Sequence, residues 1–377
     1  MSTIRSLRLH RRSIPLVRPF VTAVRTATEI DVLLVEAEDS SGRVGWGEAP
    51  TSWRVTGESP ESVAAAVQGP LLEAVRGGPV DDPAGLSRAL ERAAVRNSAA
   101  RMAVDCALYD LAAQNAGVPL HRYLQGSSAD VTATDMTLSA VVDDAGIGRL
   151  AETAQRHRDD GFRALKVKVG AGGDDVEAMR AVRAAVGGDV VLRADANQGW
   201  DPQQAVSVIR AWEDAGLGIQ LIEQPVHRDD IDGLAFVTAH VETPVLADES
   251  VWTLREAREV IARRAVDMIN VKLAKTGGLR EGLAIVDEAW SNGVRVIVGC
   301  MMESQVGIAA AAALASVIDS RWAGAVAGEA SISGAVAHDL DAGQWLASAP
   351  VQGGIRYERD EVRLSPGAGL GIAGLRP

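Results

Sequence analysis

From about residue 130 onward the chain settles into a repeat that few folds can accommodate. Short apolar, β-rich runs alternate with helix-length segments, and each run closes on polar residues. The runs span 131–139, 164–169, 190–197, 219–225, 244–250, 268–275, 294–304 and, with a weaker pattern, 335–341. Lys168, Asp195, Glu223, Asp248, Lys272 and Glu303 stand near six of the ends, at intervals of 27, 28, 25, 24 and 31 residues. Such an interval holds one strand, one helix and two loops. Eight units of this kind predict an α/β fold, a (β/α)8 TIM-like barrel, whose functional side chains gather at the C-terminal ends of the strands.

The first 127 residues follow another pattern. Strand-like segments at 4–17, 31–38 and 44–49 come first, followed by alanine-rich helical segments at 60–76, 83–95 and 98–116. Gly117-Val118-Pro119 stops the last of these. This predicts an N-terminal α+β capping domain. Near the other end, Ile355-Arg356-Tyr357 and Val362-Arg363-Leu364 flank a charged turn, and this tail is expected to return and complete the capping domain. The expected division is 1–127 with 350–377 for the cap and 128–349 for the barrel. A chain of 377 residues, 47% apolar, can supply both cores.

Three consecutive predicted strands end in acids: Asp195 in LRADANQGW, Glu223 in LIEQPV and Asp248 in VLADES. Neighbouring barrel strands lie about 4.8 Å apart, so the three carboxylates converge at its mouth. Without a counter-ion they would repel one another and take up protons. A hard divalent cation resolves this, and an all-oxygen set suits Mg²⁺.

Lysine usage sharpens the picture. Of 38 basic residues only four are lysine, namely Lys166, Lys168, Lys272 and Lys275, all inside two short apolar segments. Arginine supplies the remaining positive charge, yet only lysine can surrender its proton when burial and nearby cations lower its pKa. Lys166 and Lys168 share one face of a strand, so their repulsion is expected to make one of them a base. The second and sixth strands sit across the barrel from each other, which sets Lys168 against Lys272 over the predicted metal. That suits two-base proton transfer at a carbon next to a carboxylate. The cation stabilises the enediolate, a lysine with a pKa near ~7–8 removes the proton, and the opposite ammonium returns one. Lys166 is expected to support Lys168; for Lys166 and Lys275, pairing with a metal-ligand acid is an equal alternative.

The stretches LKVKVG, RADANQGW, IEQPVHRDD, LADESV and NVKLAKTGG, in this order, resemble the muconate-lactonizing-enzyme subgroup of the enolase superfamily. The resemblance runs from the cap to PGAGLGI near the C-terminus, and it implies the superfamily's known chemistry of Mg²⁺ with a lysine or histidine base. The seventh run reads GCMMES, without the histidine of mandelate-racemase-like members. Two further stretches resemble the dipeptide epimerases of the L-Ala-D/L-Glu type. The loop PFVTAVRT with GWGEAP and TGES is similar to their substrate loops, which implies that Arg25 binds a glutamate side-chain carboxylate. Asp339-Leu340-Asp341 is similar to their DxD pair, which implies that Asp339 and Asp341 hold a dipeptide's α-ammonium group. Thr137 and Glu303 complete the expected substrate-binding set.

These expectations make the substrate a dipeptide inverted at its C-terminal residue. The alternatives on the same site are muconate cycloisomerisation, o-succinylbenzoate synthesis and N-acylamino-acid racemisation, and outside catalysis a binder that kept the barrel. Between Glu303 and Asp339 the chain is longer than the resemblance leads one to expect, with RWAGAVAGEASISGA as the insertion. The register of the eighth strand is therefore open, and Glu329 is a second candidate for its terminal acid. Arg54 adds another arginine near the specificity loops.

A net charge of −12 argues against nucleic-acid backbones and anionic membranes as partners. The N-terminus MSTIRSLRLHRRSIPLV lacks the apolar core of a signal peptide, and no apolar run reaches spanning length. Cys106 and Cys300 read as buried thiols. A cytoplasmic homo-oligomer is expected.

Overall fold

The computed structural model describes residues 2–21, 26–126, 129–140, 145–325 and 337–376. Its N-terminal sheet is antiparallel, with β1 (Ile4–Val21), β2 (Thr26–Asp39) and β3 (Val44–Pro50) in that order. Asp39 fastens the β2–β3 turn, since its Oδ1 accepts from the Ser41 and Arg43 backbone N–H groups at 2.8 and 3.0 Å. The Ser98–Ala116 helix lies on this sheet and is buried on nearly every side, which explains a composition apolar all round. Close approach is possible because Gly47 has no side chain. A Cβ there would stand 1.9 Å from the Ala103 carbonyl oxygen, so the glycines of GWGEAP meet a packing requirement.

The chain then passes through β4 (Val131–Ala133) into the barrel strands β5 (Met136–Leu138), β6 (Ala164–Lys168), β7 (Val191–Asp195), β8 (Ile219–Glu223), β9 (Val245–Ala247), β10 (Met268–Lys272) and β11 (Arg295–Gly299). The seven strands β5 to β11 pair side by side, each parallel to the next. Intervening helices such as Asp175–Val186, Pro202–Asp214 and Leu279–Ser291 present one apolar face each. Residues of strands and helices join one continuous core.

Both ends of the predicted strand series differ from the sequence reading. The first run is split: β4 pairs antiparallel with the C-terminal tail, and only β5 enters the barrel. The eighth run is reduced to His338 and Asp339, which bridge to Thr134 and Gly299 and so close the barrel between β5 and β11. The ladder stops there because the next donor, Leu340 N–H, goes to the Thr134 hydroxyl at 2.9 Å. Residues 335 and 336 and the alternative acid Glu329 lie outside the described residues.

In the tail, β12 (Val351–Gly353) pairs with β15 (Ile372–Leu375), and the hairpin of β13 (Arg356–Glu358) and β14 (Glu361–Arg363) extends β4. Its last loop returns to the cap, where Asp110 accepts from Leu370 N–H at 2.7 Å and from Trp46 N–H at 2.8 Å. Two further buried carboxylates bind cap to barrel. Asp105 receives Leu279 N–H at 2.6 Å, and Glu48 receives Ser304 and Gly307 N–H at 2.7 and 2.9 Å. Both serve the N-terminal turn of a barrel helix, where backbone donors lack intrahelical partners.

Candidate active site

The barrel interior ends in a polar cluster below the cap. All five residues of β6 are buried, and Lys166 and Lys168 both point inward. Their partners differ. Lys168 Nζ lies 2.5 Å from Asp195 Oδ2, whereas Lys166 Nζ lies 2.6 Å from Asp339, 3.3 Å from Glu223 and 3.4 Å from Asp195. On the other side, Lys272 Nζ is 2.8 Å from Asp248 and 4.0 Å from both Glu223 and Asp339. Lys275 Nζ is 2.6 Å from Asp248 Oδ1 and donates to the Asn270 carbonyl at 3.0 Å.

The ends of the strands fix these groups. Register pairs Lys168 with Asp195 and Asp195 with Glu223 across β6, β7 and β8. Gly170, at φ +77°, lets the end of β6 pass beside β7, where a Cβ would meet the Ala196 carbonyl oxygen at 3.0 Å. Asn197, Gln198 and Gln224 hold positive φ values of 44°, 70° and 38°, a backbone conformation that is uncommon outside glycine. Gln224 is buried and fully used: its Oε1 accepts from Asp248 and Ser250 N–H at 3.0 and 3.1 Å, and its Nε2 donates to Ser250 Oγ and Val226 O. It thereby sets the position of Asp248.

Charge in the cluster is set by the carboxylates that face Lys166 and Lys272. Burial alone would lower the Lys166 and Lys272 pKa values, but the surrounding carboxylates outweigh it, and both are raised well above the ordinary lysine value. Around Lys166 those carboxylates are Asp339, Glu223 and Asp195, all within 3.4 Å of its Nζ. Asp248 is the counterpart: burial would raise its pKa, but Lys272 and Lys275 hold it far below the usual range.

The three predicted ligands have the donor chemistry a hard cation takes. Their oxygens do not gather within 4.8 Å of one another as the sequence leads one to expect, because each faces a lysine instead: Asp195 faces Lys168, Glu223 faces Lys166 and Asp248 faces Lys272. The three acids are oxygen donors from adjacent strands, and Glu249 beside them has a buried Oε2 without a hydrogen-bond partner. Burial, then the charges of Asp248 and Asp195, push the Glu249 carboxyl up to about 7, so negative charge there is undercompensated. Asp248 lines the cavity, which measures about 140 Å³; Asp195 and Glu223 are not in its wall and pair with Lys168 and Lys166, which are. A second acidic cluster adjoins this one. Asp135, Asp339 and Asp341 each bring one oxygen within 4.8 Å of the others.

Of the expected substrate-binding residues, Thr137, Asp339 and Asp341 line the cavity. Asp341 Oδ2 accepts from Thr137 N–H at 2.8 Å and Trp345 Nε1–H at 3.0 Å. Arg25 lies outside the described residues. Glu303 is set back from the others. It is buried beside Glu48, and its Oε1 accepts from Met301 N–H at 2.8 Å. Burial, then the Glu48 charge, push its carboxyl up to about 8; the wall above the β11 end is made by Cys300, Met301 and Met302. The cap contributes Phe20, Arg54 and Val55.

Sequence reasoning missed three buried groups. Asp135 pairs with Arg193 at 2.9 Å in a layer below the acids, and Asn270 Nδ2 donates to Glu223 at 2.8 Å. Asn270 was detectable, since it stands two residues before Lys272 and shares its face. Arg193 was detectable in the same way, two residues before Asp195 on β7, whereas Asp135 precedes β5 and no strand period marks it.

Residues 149–374 match the family described as enolase C-terminal domain-like, and residues 5–125 match the mandelate racemase / muconate lactonizing enzyme N-terminal domain. The chain therefore belongs to the enolase superfamily, with the cap and barrel of that family's enzymes. At closer range it is 39% identical over 366 residues to the L-Ala-D/L-Glu epimerase of Bacillus subtilis, covering 97% of this chain and 95% of that one. A substrate-liganded structure of the Bacillus subtilis L-Ala-D/L-Glu epimerase superposes with a TM-score of 0.91 at 38% identity over all of both chains. The dipeptide epimerase of Enterococcus faecalis, solved with Mg and L-Leu-L-Tyr, gives a TM-score of 0.88 at 34% identity, over 98% of this chain and 99% of that one.

Proposed function

We propose that this chain is a Mg²⁺-dependent dipeptide epimerase that inverts the α-carbon of the C-terminal residue, with Ala-Glu as the expected substrate. The observation that carries the reading is one cavity lined by lysines from β6 and β10 together with the acid pair Asp339 and Asp341. Asp195, Glu223 and Asp248 would hold the ion, which when bound withdraws electron density from the substrate carboxylate and acidifies the neighbouring C–H. Lys168 and Lys272 do the proton work, one removing the α-proton and the other delivering a proton to the opposite face; an ion held by Glu223 and Asp248 would offset the acids that raise the Lys272 pKa and so let it serve as a base. Lys166, close to Asp195, Glu223 and Asp339, holds positive charge beside the reacting carboxylate.

Asp339 and Asp341 receive the α-ammonium group of the N-terminal residue, with Thr137 N–H and Trp345 Nε1–H holding Asp341 in place. An acid pair at this position favours a zwitterionic dipeptide over muconate, o-succinylbenzoate precursors or an N-acylated amino acid, none of which offers an ammonium group there. The L-Ala-D/L-Glu and dipeptide epimerase names of the similar proteins support the same substrate class. Incubating Ala-L-Glu with enzyme and Mg²⁺ in D₂O, followed by NMR, should show exchange of the glutamate α-proton and growth of the second diastereomer. Absence of exchange with every member of a dipeptide panel refutes the proposal.

A further inference from the structure

Side chains stand in for part of the reduced eighth strand. Asp339 is fastened to β11 as a parallel partner should be: its N–H donates to the Val298 carbonyl at 2.9 Å, and its carbonyl accepts from Cys300 N–H at 3.1 Å. His338 faces the other neighbour, with its N–H on the Ala133 carbonyl at 2.8 Å and its carbonyl accepting from Asp135 N–H at 2.9 Å. The next rung towards the barrel floor would join Val298 N–H to the Ala337 carbonyl. That carbonyl accepts instead from Arg193 Nη1–H of β7 at 2.7 Å. Val298 N–H turns to the imidazole and donates to His338 Nδ1 at 2.9 Å.

The ring thus takes the place of a backbone carbonyl. An amide N–H can only donate, so Nδ1 accepts, and in the neutral ring the proton sits on Nε2. Nε2–H reaches Asp319 Oδ1 at 3.3 Å, and the other oxygen of that carboxylate accepts from Thr132 Oγ1–H at 2.7 Å. Asp319 belongs to the Gln305–Ala325 helix and Thr132 to β4, so the ring is oriented from two further elements. His338 is 1% exposed; removing its acceptor would strand a buried N–H, which is costly.

We propose, resting on the dipeptide reading of the site, that His338 is a positioning residue for substrate binding, whose ring fixes the backbone from which Asp339 and Asp341 reach the ammonium group. Asp339 follows His338 directly, and Asp341 stands one residue beyond Leu340, whose N–H is held by the Thr134 hydroxyl at 2.9 Å. With so few backbone rungs, a tilt of this segment displaces both carboxylates together, and a displaced carboxylate loses its charge-assisted contact. Lys168 and Lys272 stand on β6 and β10, each paired with a strand on both sides. Binding should therefore suffer from the loss of the ring more than proton transfer does.

Two substitutions separate the ring's role from mere bulk. His338→Asn keeps an acceptor at the Nδ1 position, because Oδ1 is the same number of bonds from the backbone, whereas His338→Leu removes it. In Ala-Glu epimerisation followed by NMR, His338→Leu should raise KM ~10-fold or more with kcat within ~3-fold, and His338→Asn should keep both within ~3-fold of the unaltered protein. Hydrogen exchange read by mass spectrometry without substrate should show Val298 and residues 337–341 exchanging ~10-fold faster in the leucine variant and at the original rate in the asparagine variant. Asp319→Ala, at a partly exposed side chain, should raise KM and speed the same exchange to a smaller extent, and it decides the question where the leucine variant does not fold. Should the unaltered protein fail to epimerise any dipeptide, the proposed reaction falls, and so does a role for the ring in binding that substrate; the exchange rates then still report whether the ring holds the segment. With an active protein, four results overturn the proposal: an unchanged KM on loss of the acceptor, an equal rise in KM for leucine and asparagine, a loss of kcat at unchanged KM, or unchanged amide exchange.

Discussion

Replacing Glu48 by leucine should loosen the joint between cap and barrel by a calculable amount. The carboxylate is fully buried and accepts from Ser304 N–H at 2.7 Å, Ser304 Oγ–H at 2.5 Å and Gly307 N–H at 2.9 Å. In Glu48→Leu the serine hydroxyl can rotate, but two backbone N–H groups lose their acceptor in a dry interface. Each such loss costs ~1–3 kcal/mol, and leucine returns part of it through apolar burial, leaving a net destabilisation of ~2–4 kcal/mol. For 377 residues the unfolding entropy is roughly 0.8 kcal/mol per kelvin, so the melting temperature should fall ~3–5 °C.

The sign of the pH dependence is fixed as well. Burial outweighs the hydrogen bonds and raises the Glu48 pKa above its ordinary 4.5. Its stabilising contribution is therefore complete below that value and is lost as pH rises through the folded-state pKa. Glu303 acts in the same direction, since it is raised to about 8 by burial and then by Glu48, a repulsion the variant lacks. The gap between unaltered protein and Glu48→Leu should thus be largest near pH ~5 and should narrow towards pH ~8. Thermal denaturation followed by circular dichroism at both pH values measures it. A gap that is constant or widens with pH, or a shift below ~1 °C at the lower pH, would refute the reasoning.

Lys168→Ala and Lys272→Ala should each abolish deprotonation of one diastereomer, with losses of ~10²–10⁴-fold in the exchange rate; full activity in either variant would rule out two-base chemistry. Exhaustive dialysis against EDTA should remove epimerase activity and added Mg²⁺ should restore it, as read by the same NMR assay. Asp341→Asn should raise KM for a free dipeptide ~10-fold or more by removing a charged partner of the ammonium group. If KM is unaltered, the acid pair is not the ammonium site. Gly47→Ala should lower the yield of folded protein or its melting temperature, because the new methyl would lie 1.9 Å from the Ala103 carbonyl oxygen; an unchanged melt would contradict that packing.

The strand-end acids and lysines were legible because a barrel repeats one unit, and position within the unit sets the direction a side chain takes. Lys168, Asp195, Glu223, Asp248 and Lys272 all lie at or near the ends of β6 to β10. Glu303 obeyed the same period yet stands back from the cavity beside Glu48, because beyond β11 the chain leaves the strand and its interval no longer fixes direction. The ends of the series were unreadable for a related reason. The first run is shared between the barrel and the tail, and the eighth is held by two bridging residues.

By itself, the sequence determined the kind of fold and which strand-end acids and lysines are the ones to propose as metal ligands and proton carriers, since these follow from periodicity and residue chemistry. The tertiary structure alone decided which charge faces which. Lys166 lies against Asp339, 173 residues away in the chain, Arg193 lies against Asp135, and Glu48 caps a helix that begins more than 250 residues later. Those pairings set the electrostatics of the site through distances of a few ångströms in a buried medium, and no local pattern in the chain encodes such a distance.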